Sequence, residues 1–187
     1  ELLTSKNYNQ KGKTTGGKNG FGAKLTNLFS SMFRVETVDH IRGLKYIQEF
    51  KNNMSEEGKP IISKVKGKPY TKISWITDFK RFGIQKYSND MIQMMIRRIY
   101  DIAGTTDKSL NLYFNKKKLT IKTFDSYIDL YLTDKKKVFE KIHDRWEIGL
   151  SISDTDKFEN YSFVNGIYTP KGGKHVDSIV KQITNGL

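Results

Sequence analysis

The run Thr14-Thr15-Gly16-Gly17-Lys18-Asn19-Gly20-Phe21-Gly22-Ala23-Lys24 limits the choice of fold more than any other feature of the chain. It holds four glycines within seven residues, Gly16 to Gly22. Glycine reaches positive φ without penalty and lets a backbone come close to a ligand. The pattern Leu25, Leu28, Phe29 then predicts a short helix over Ala23 to Ser30. A helix start offers free N–H groups and the positive end of its dipole, which together favour an anion. Lys18 and Lys24 add charge, so phosphate is the natural ligand. A flexible glycine linker is the plainer alternative.

Two familiar phosphate loops do not fit. Gly17 and Gly22 have the spacing of G-x-x-x-x-G-K-[ST], but Ala23-Lys24-Leu25 follows and the Mg-binding hydroxyl is missing. The spacing of Gly17, Gly20 and Gly22 is not G-x-G-x-x-G, and a polar stretch precedes the loop where a dinucleotide fold needs a buried strand.

The rest of the chain alternates between strand and helix patterns. Residues 1–22 are polar and predict a loop. Phe33 and Val35 alternate with charged neighbours, and Leu44–Phe50 and Tyr70–Ile76 continue as strands, with Ile73 and Trp75 on a buried face. Asn52 to Pro69 reads as a polar connection. Ser88 to Ala103 predicts the clearest helix, with Ser88 as N-cap, Asp90 in the first turn and Gly104 as its end. Met91, Ile92, Met95, Ile96 and Ile99 form its core-facing stripe. Alternation over Leu110–Ile121 predicts a hairpin with a basic tip at Lys116–Lys118. Phe124–Leu132 reads as helical and Trp146–Ile152 as a strand. A turn over Asp154–Asn160 leads to a strand over Tyr161–Thr169. A loop with Gly172 and Gly173 precedes a last helix carrying Val176, Ile179, Val180 and Ile183. A domain boundary is placed near Lys122.

Charge bears on the partner. The 187 residues carry 33 Lys+Arg against 20 Asp+Glu, a formal net charge of +13. Such a surplus favours a polyanion, although a merely solvated basic surface is the bland alternative. There is no cysteine, which excludes disulfides and zinc fingers. His40, His143 and His175 lie too far apart for ligand spacing, so no protein-built transition-metal site is expected. No run approaches the ~18 apolar residues of a membrane span, and no signal peptide is visible. An intracellular, soluble protein is expected. Because the chain starts at Glu1 and stops within a helical pattern, it is expected to be a piece of a longer protein.

Several blocks, in order, carry a resemblance. They are Leu2-Leu3-Thr4-Ser5-Lys6-Asn7-Tyr8, Thr15 to Ser30, Phe33-Arg34-Val35-Glu36-Thr37 and Arg97-Arg98-Ile99-Tyr100-Asp101-Ile102-Ala103-Gly104. His143-Asp144-Arg145-Trp146-Glu147, Ser162-Phe163-Val164-Asn165-Gly166-Ile167 and Lys171-Gly172-Gly173-Lys174-His175-Val176-Asp177 complete the set. Over nearly its whole length the chain resembles the eukaryotic and viral type IIA DNA topoisomerases. That resemblance implies an α/β (α+β) fold. Residues 1–122 correspond to the second half of a gyrase-type (Bergerat) ATPase sandwich, and residues 123–187 to the start of a transducer domain.

The resemblance further implies ATP with Mg²⁺ as cofactors, homodimerisation, double-stranded DNA as partner and no membrane. It implies a nuclear enzyme, or a virus-encoded one acting in the infected cell. By matching position, Ser5, Lys6 and Asn7 fall where the family's lid contacts the nucleoside. Gly17, Lys18, Asn19, Gly20, Phe21, Gly22, Ala23 and Lys24 fall on the loop around the triphosphate. Lys6 stands for a more usual serine, Lys18 for arginine and Phe21 for tyrosine. Lysine gives up bidentate geometry and phenylalanine a hydroxyl. The family's general base, Mg-binding asparagine, γ-phosphate lysine and nucleolytic tyrosine match nothing here, so no catalytic or metal-binding residue is expected within the chain. The chain alone is expected neither to hydrolyse ATP nor to cut DNA. Another ATPase of the same superfamily, or a basic nucleic-acid-binding module with a degenerate loop, are the alternatives. The latter would bind DNA and ignore ATP.

Overall fold

The computed structural model describes residues 5, 7, 12, 14–132 and 136–186. These fall into two compact units. The first comprises Ser5, Asn7 and residues 17–87, and the second Gly12, residues 14–16 and the chain from Ser88 onward.

In the first unit, helix α1 (Gly22–Leu28) leads into strand β1 (Ser30–Asp39). Next come β2 (Leu44–Lys51), β3 (Glu56–Glu57), β4 (Ile61–Lys64) and β5 (Tyr70–Thr77). Among them β1 lies between β2 and β5, and β2 also pairs with β3 and β4, all antiparallel. Asp39 turns the chain from β1 to β2, its carboxylate accepting from the N–H groups of Ile41 and Arg42 at 3.0 and 3.1 Å. Phe33 and Val38 are buried in β1, flanked by buried Asn27 and Ser30. Buried Gln48 is satisfied by the Tyr46 hydroxyl, by Glu57 at 2.9 Å and by the Gly58 carbonyl at 3.0 Å. A single 3₁₀ turn, Phe79–Phe82, is capped by Asp78 and brings Phe82 against Phe29 at 5.3 Å between ring centroids.

The second unit starts with α2 (Asn89–Thr105), capped by the Ser88 hydroxyl, which accepts from Met91 N–H at 3.2 Å. Then come hairpin β6 (Tyr113–Phe114) and β7 (Lys117–Lys118), helix α3 (Phe124–Ile128), and hairpin β8 (Lys137–His143) and β9 (Trp146–Ser151). Hairpin β10 (Phe163–Val164) and β11 (Ile167–Tyr168) follows, and α4 (Lys174–Gly186) closes the unit. Thr123 and Ser126 form a reciprocal capping box on α3. Tyr127 of α3 is the best-buried aromatic residue, and its hydroxyl donates to the buried Asp101 carboxylate at 2.7 Å. Around it stand Phe124, Tyr131 and Phe163, with centroids 5.5 to 6.0 Å away.

Several sequence expectations need correction. The connection Asn52–Pro69 contains β3 and β4, because the outer edge of β2 has N–H and C=O groups that need partners. Ile73 and Trp75 alternate as a strand should, yet both are exposed. Met91, Ile92 and Met95 of α2 are exposed as well. Gly104 lies inside α2, where an added Cβ would stand 2.6 Å from the Tyr127 Cβ. Its role is close packing rather than termination. The hairpin tip near residue 116 is Asn115-Lys116, both at positive φ, with Lys117 and Lys118 inside β7. The helix expected over Phe124–Leu132 stops at Ile128. The strand expected over Tyr161–Thr169 is a hairpin folded at Asn165-Gly166, with φ of 51° and 72°. Strand β8 was not expected from the sequence.

Candidate functional site

The glycine loop from Gly17 to Lys24 and the described residues expected to join it, Ser5 and Asn7, lie in the first unit. The chain rises through Gly17, Lys18 and Asn19, turns at Gly20 with φ +68°, and enters α1 after Phe21. Positive φ at Gly20 is the conformation for which a glycine is needed. No side chain caps α1. Its first backbone bond runs from Leu25 N–H to Phe21 C=O at 2.8 Å, so the earlier amides lie at the open end of the helix.

Ser5 and Asn7 fold over this turn. The Ser5 hydroxyl accepts from Asn7 N–H at 3.1 Å, and the Asn7 amide donates to the Gly17 carbonyl at 3.1 Å. An added Cβ on Gly20 would stand 3.4 Å from the Ser5 Cβ, so Ser5 backs directly onto the turn. The structure therefore brings together Ser5, Asn7, Gly17 and Gly20, and sequence continuity adds Lys18, Asn19, Phe21, Gly22, Ala23 and Lys24. Lys6 lies outside the described residues, as do Lys135 and Leu2, Leu3, Thr4 and Tyr8.

This arrangement fits a phosphate chain. Around Gly17 and Gly22 an added Cβ would meet nothing within 4 Å, which leaves open space at the loop backbone. Lys18 is exposed and Lys24 half-buried on the same short segment. Among the described residues, no three His, Cys, Asp or Glu side chains gather as a metal site. Mg²⁺ commonly binds through substrate phosphates and retained waters, so it needs no such cluster.

Two sets of basic residues divide in role. Lys137 is not a free surface cation: its ammonium reaches Asp125 at 2.7 Å and Asp129 at 2.5 Å and donates to the Asp125 carbonyl at 2.9 Å. Those carboxylates, Asp125 first, hold its pKa above the ordinary lysine value. Lys117 and Lys118, by contrast, line a shallow cavity with Tyr100, Phe114 and Leu119. His175 packs at the start of α4, its Nε2 3.3 Å from the Thr169 hydroxyl, as a local hydrogen-bonding residue.

Sequence reasoning named Gly16 in the loop but assigned it no partner. In the second unit, an added Cβ on Gly16 would stand 2.3 Å from Ile167 Cδ1. The signal for the hairpin carrying Ile167 was present as Asn165-Gly166 between two apolar pairs, a strong two-residue hairpin signature.

Residues 104–187 match the DNA gyrase B family model. DNA topoisomerase 2 of Arabidopsis thaliana is 44% identical over 197 residues, covering 100% of this chain and 13% of that protein. DNA topoisomerase 2 of Acanthamoeba polyphaga mimivirus is 44% identical over 194 residues, covering 100% of the chain and 15% of the relative. The chain thus spans only a small part of these relatives' length. The crystal structure of the ATPase region of Saccharomyces cerevisiae topoisomerase II superposes with a TM-score of 0.89 at 44% identity, covering 99% of this chain and 50% of the other. The ATPase and transducer domains of DNA topoisomerase II from Balamuthia mandrillaris give 0.89 at 40% identity, covering 100% and 48%. No helix among the described residues is long and apolar enough to cross a membrane. Similar in sequence along its whole length and in backbone throughout its α/β fold, the chain belongs to the type II DNA topoisomerase family and corresponds to part of its ATPase region.

Proposed function

We propose that this chain is the nucleotide-sensing part of an ATP-dependent type II DNA topoisomerase. It couples nucleotide-driven dimerisation to the passage of one DNA duplex through another. The observation that carries this reading is the Gly20 turn, with Ser5 and Asn7 folded over it and two lysines beside it. Residues 1–122 are read as the C-terminal portion of the gyrase-type ATPase domain and 123–187 as the start of the transducer. The compact unit containing α2 and α3 spans that boundary.

Each residue has a physical part. The backbone of Gly17 to Gly22 wraps the phosphates, because Gly17, Gly20 and Gly22 carry no side chain to block that approach. Lys18 and Lys24 neutralise phosphate charge as point charges rather than bidentate forks. Asn7 holds the Gly17 carbonyl away from the phosphates by donating to it. Ser5 supports the Gly20 turn from behind, and Ser5, Lys6 and Asn7 are read by matching position as the nucleoside-contacting part of the lid. Bound ATP with Mg²⁺ supplies the γ-phosphate whose presence or loss distinguishes the two states of the gate. The hydrolytic groups are expected from outside this chain.

The partners follow from charge. A net charge of +13 suits double-stranded DNA, and contacts to phosphates weaken steeply with salt. The full-length protein is proposed to act as a homodimer, in the nucleus or, if virus-encoded, in the infected cell.

The test is equilibrium binding of a fluorescent ATP analogue to the full-length protein. Ala at Gly20 is forced into positive φ, a cost of roughly 1–2 kcal/mol. Gly20→Ala should therefore weaken binding about tenfold. Binding of DNA without any nucleotide binding would instead favour a basic nucleic-acid module.

A further inference from the structure

The hairpin β10–β11 is anchored at both ends within the second unit. At its base, Thr169 N–H donates to Ser162 C=O at 2.7 Å, and the Phe163 ring meets Tyr127 and Phe124 at 5.6 and 6.1 Å. Arg97 of α2 lies over the Tyr168 ring at 4.3 Å. At its tip, Arg98 Nη1 donates to the Gly166 carbonyl at 2.7 Å. The Thr105 hydroxyl approaches the same tip, 3.6 Å from where a Gly166 Cβ would be. A two-residue strand pair this short is not rigid alone. Here one long helix holds both its base and its tip.

The tip touches one more segment. Gly16 lies so close to it that an added Cβ would stand 2.3 Å from Ile167 Cδ1, 2.4 Å from Ile167 Cγ1 and 3.2 Å from the Asn165 carbonyl. Gly16 is the residue immediately before Gly17, where the phosphate loop starts. Loops lose substantial conformational entropy when ordered, and a fixed entry point removes part of that loss before a ligand arrives.

We propose that the Asn165-Gly166-Ile167 tip, braced by Arg98, is a seat that fixes the entry of the phosphate loop, making Arg98 and Ile167 positioning residues for nucleotide binding. Neither touches the nucleotide. Each acts through Gly16. The inference rests on the nucleotide-binding reading of the loop for its functional consequence, but the seat itself is a property of the nucleotide-free protein.

Two readouts test it in the full-length protein. The first is the rate of tryptic cleavage after Lys18 without nucleotide, followed by mass spectrometry. Ile167→Ala and Arg98→Gln should each speed this cleavage several-fold, while Arg98→Lys, which keeps a cationic donor, stays closer to wild type. The second is the Kd for a fluorescent ATP analogue, which should rise about three- to tenfold in the first two variants. DNA affinity and thermal unfolding should stay near wild type, which a general loss of structure would not allow. Cleavage rates and Kd equal to wild type in both variants would overturn the proposal. If the wild-type protein binds no nucleotide, the proposed function fails, and the cleavage rates alone still decide whether the seat exists.

Discussion

At Gly104 the second unit leaves no room for even a methyl group. The Tyr127 Cβ and Cγ would lie 2.6 and 2.7 Å from an added Cβ, and both atoms are fixed by the burial of that ring. Alanine is the better helix former by about 1 kcal/mol. Overpacking costs about 1–3 kcal/mol, so the collision should win. Gly104→Ala is expected to destabilise α2, read as faster amide exchange along the helix in the full-length protein. Tyr127→Phe should act in the same unit by another route. It removes the hydroxyl that donates to buried Asp101 and leaves that carboxylate under-satisfied, a loss of about 1–3 kcal/mol. Burial, together with the hydrogen bonds to Tyr131 and Asp101, already holds the Tyr127 pKa well above the ordinary tyrosine value, so the hydroxyl stays a donor. Neither role was legible in the sequence. A glycine after an apolar stripe signals a helix end equally well, and only the tertiary contact with residue 127 separates the two.

Among the elements, strands and helices with long periodic patterns were legible, as was the β6–β7 hairpin, whereas β3 and the β10–β11 hairpin were not. Strands β1, β2 and β5 and helices α2 and α4 lie close to where periodicity put them. The two-residue strands β3, β10 and β11 are too short to show alternation. The candidate site was legible in part. The glycine spacing marked a loop with a positive-φ turn at Gly20, whereas the packing of Gly16 against Ile167 depends on a contact far along the chain. The sheet of the first unit also makes a pH prediction. Glu36 on β1 meets Lys45 at 2.8 Å, the Tyr70 hydroxyl at 2.5 Å and Arg34 at 3.1 Å. These partners, Lys45 first, lower its pKa from 4.5 to about 2. A depressed folded-state pKa stabilises the fold above the unfolded value and loses that contribution as pH falls. The sheet should therefore weaken between about pH 4.5 and about pH 2, and Glu36→Gln should flatten that dependence. Trp75 on β5 reports it by fluorescence in a Trp146→Phe background. An unchanged acid profile in the Gln variant would show that the ion cluster contributes nothing.

For the whole molecule, alternation records that a face is apolar but not what covers it. Trp75 and Ile73 on β5, and Met91, Ile92 and Met95 on α2, were expected to be covered and are exposed. The basic surplus has the same character, naming a class of partner without a site. Lys137 belongs to an internal ion cluster, so Lys137→Ala should loosen the α3–β8 junction without lowering DNA affinity. Lys117 and Lys118, which line an open cavity, are the better candidates for phosphate contact. Their joint replacement by alanine should reduce the salt dependence of DNA binding, measured as the slope of log affinity against log salt. Coupling of the loop to DNA passage remains the central claim. Its most direct test is relaxation of supercoiled plasmid by the full-length protein, with and without ATP, comparing wild type with Gly20→Ala. Relaxation that requires ATP and collapses in the variant is the predicted result. Relaxation independent of ATP, or DNA binding with no relaxation under any condition, would contradict the account.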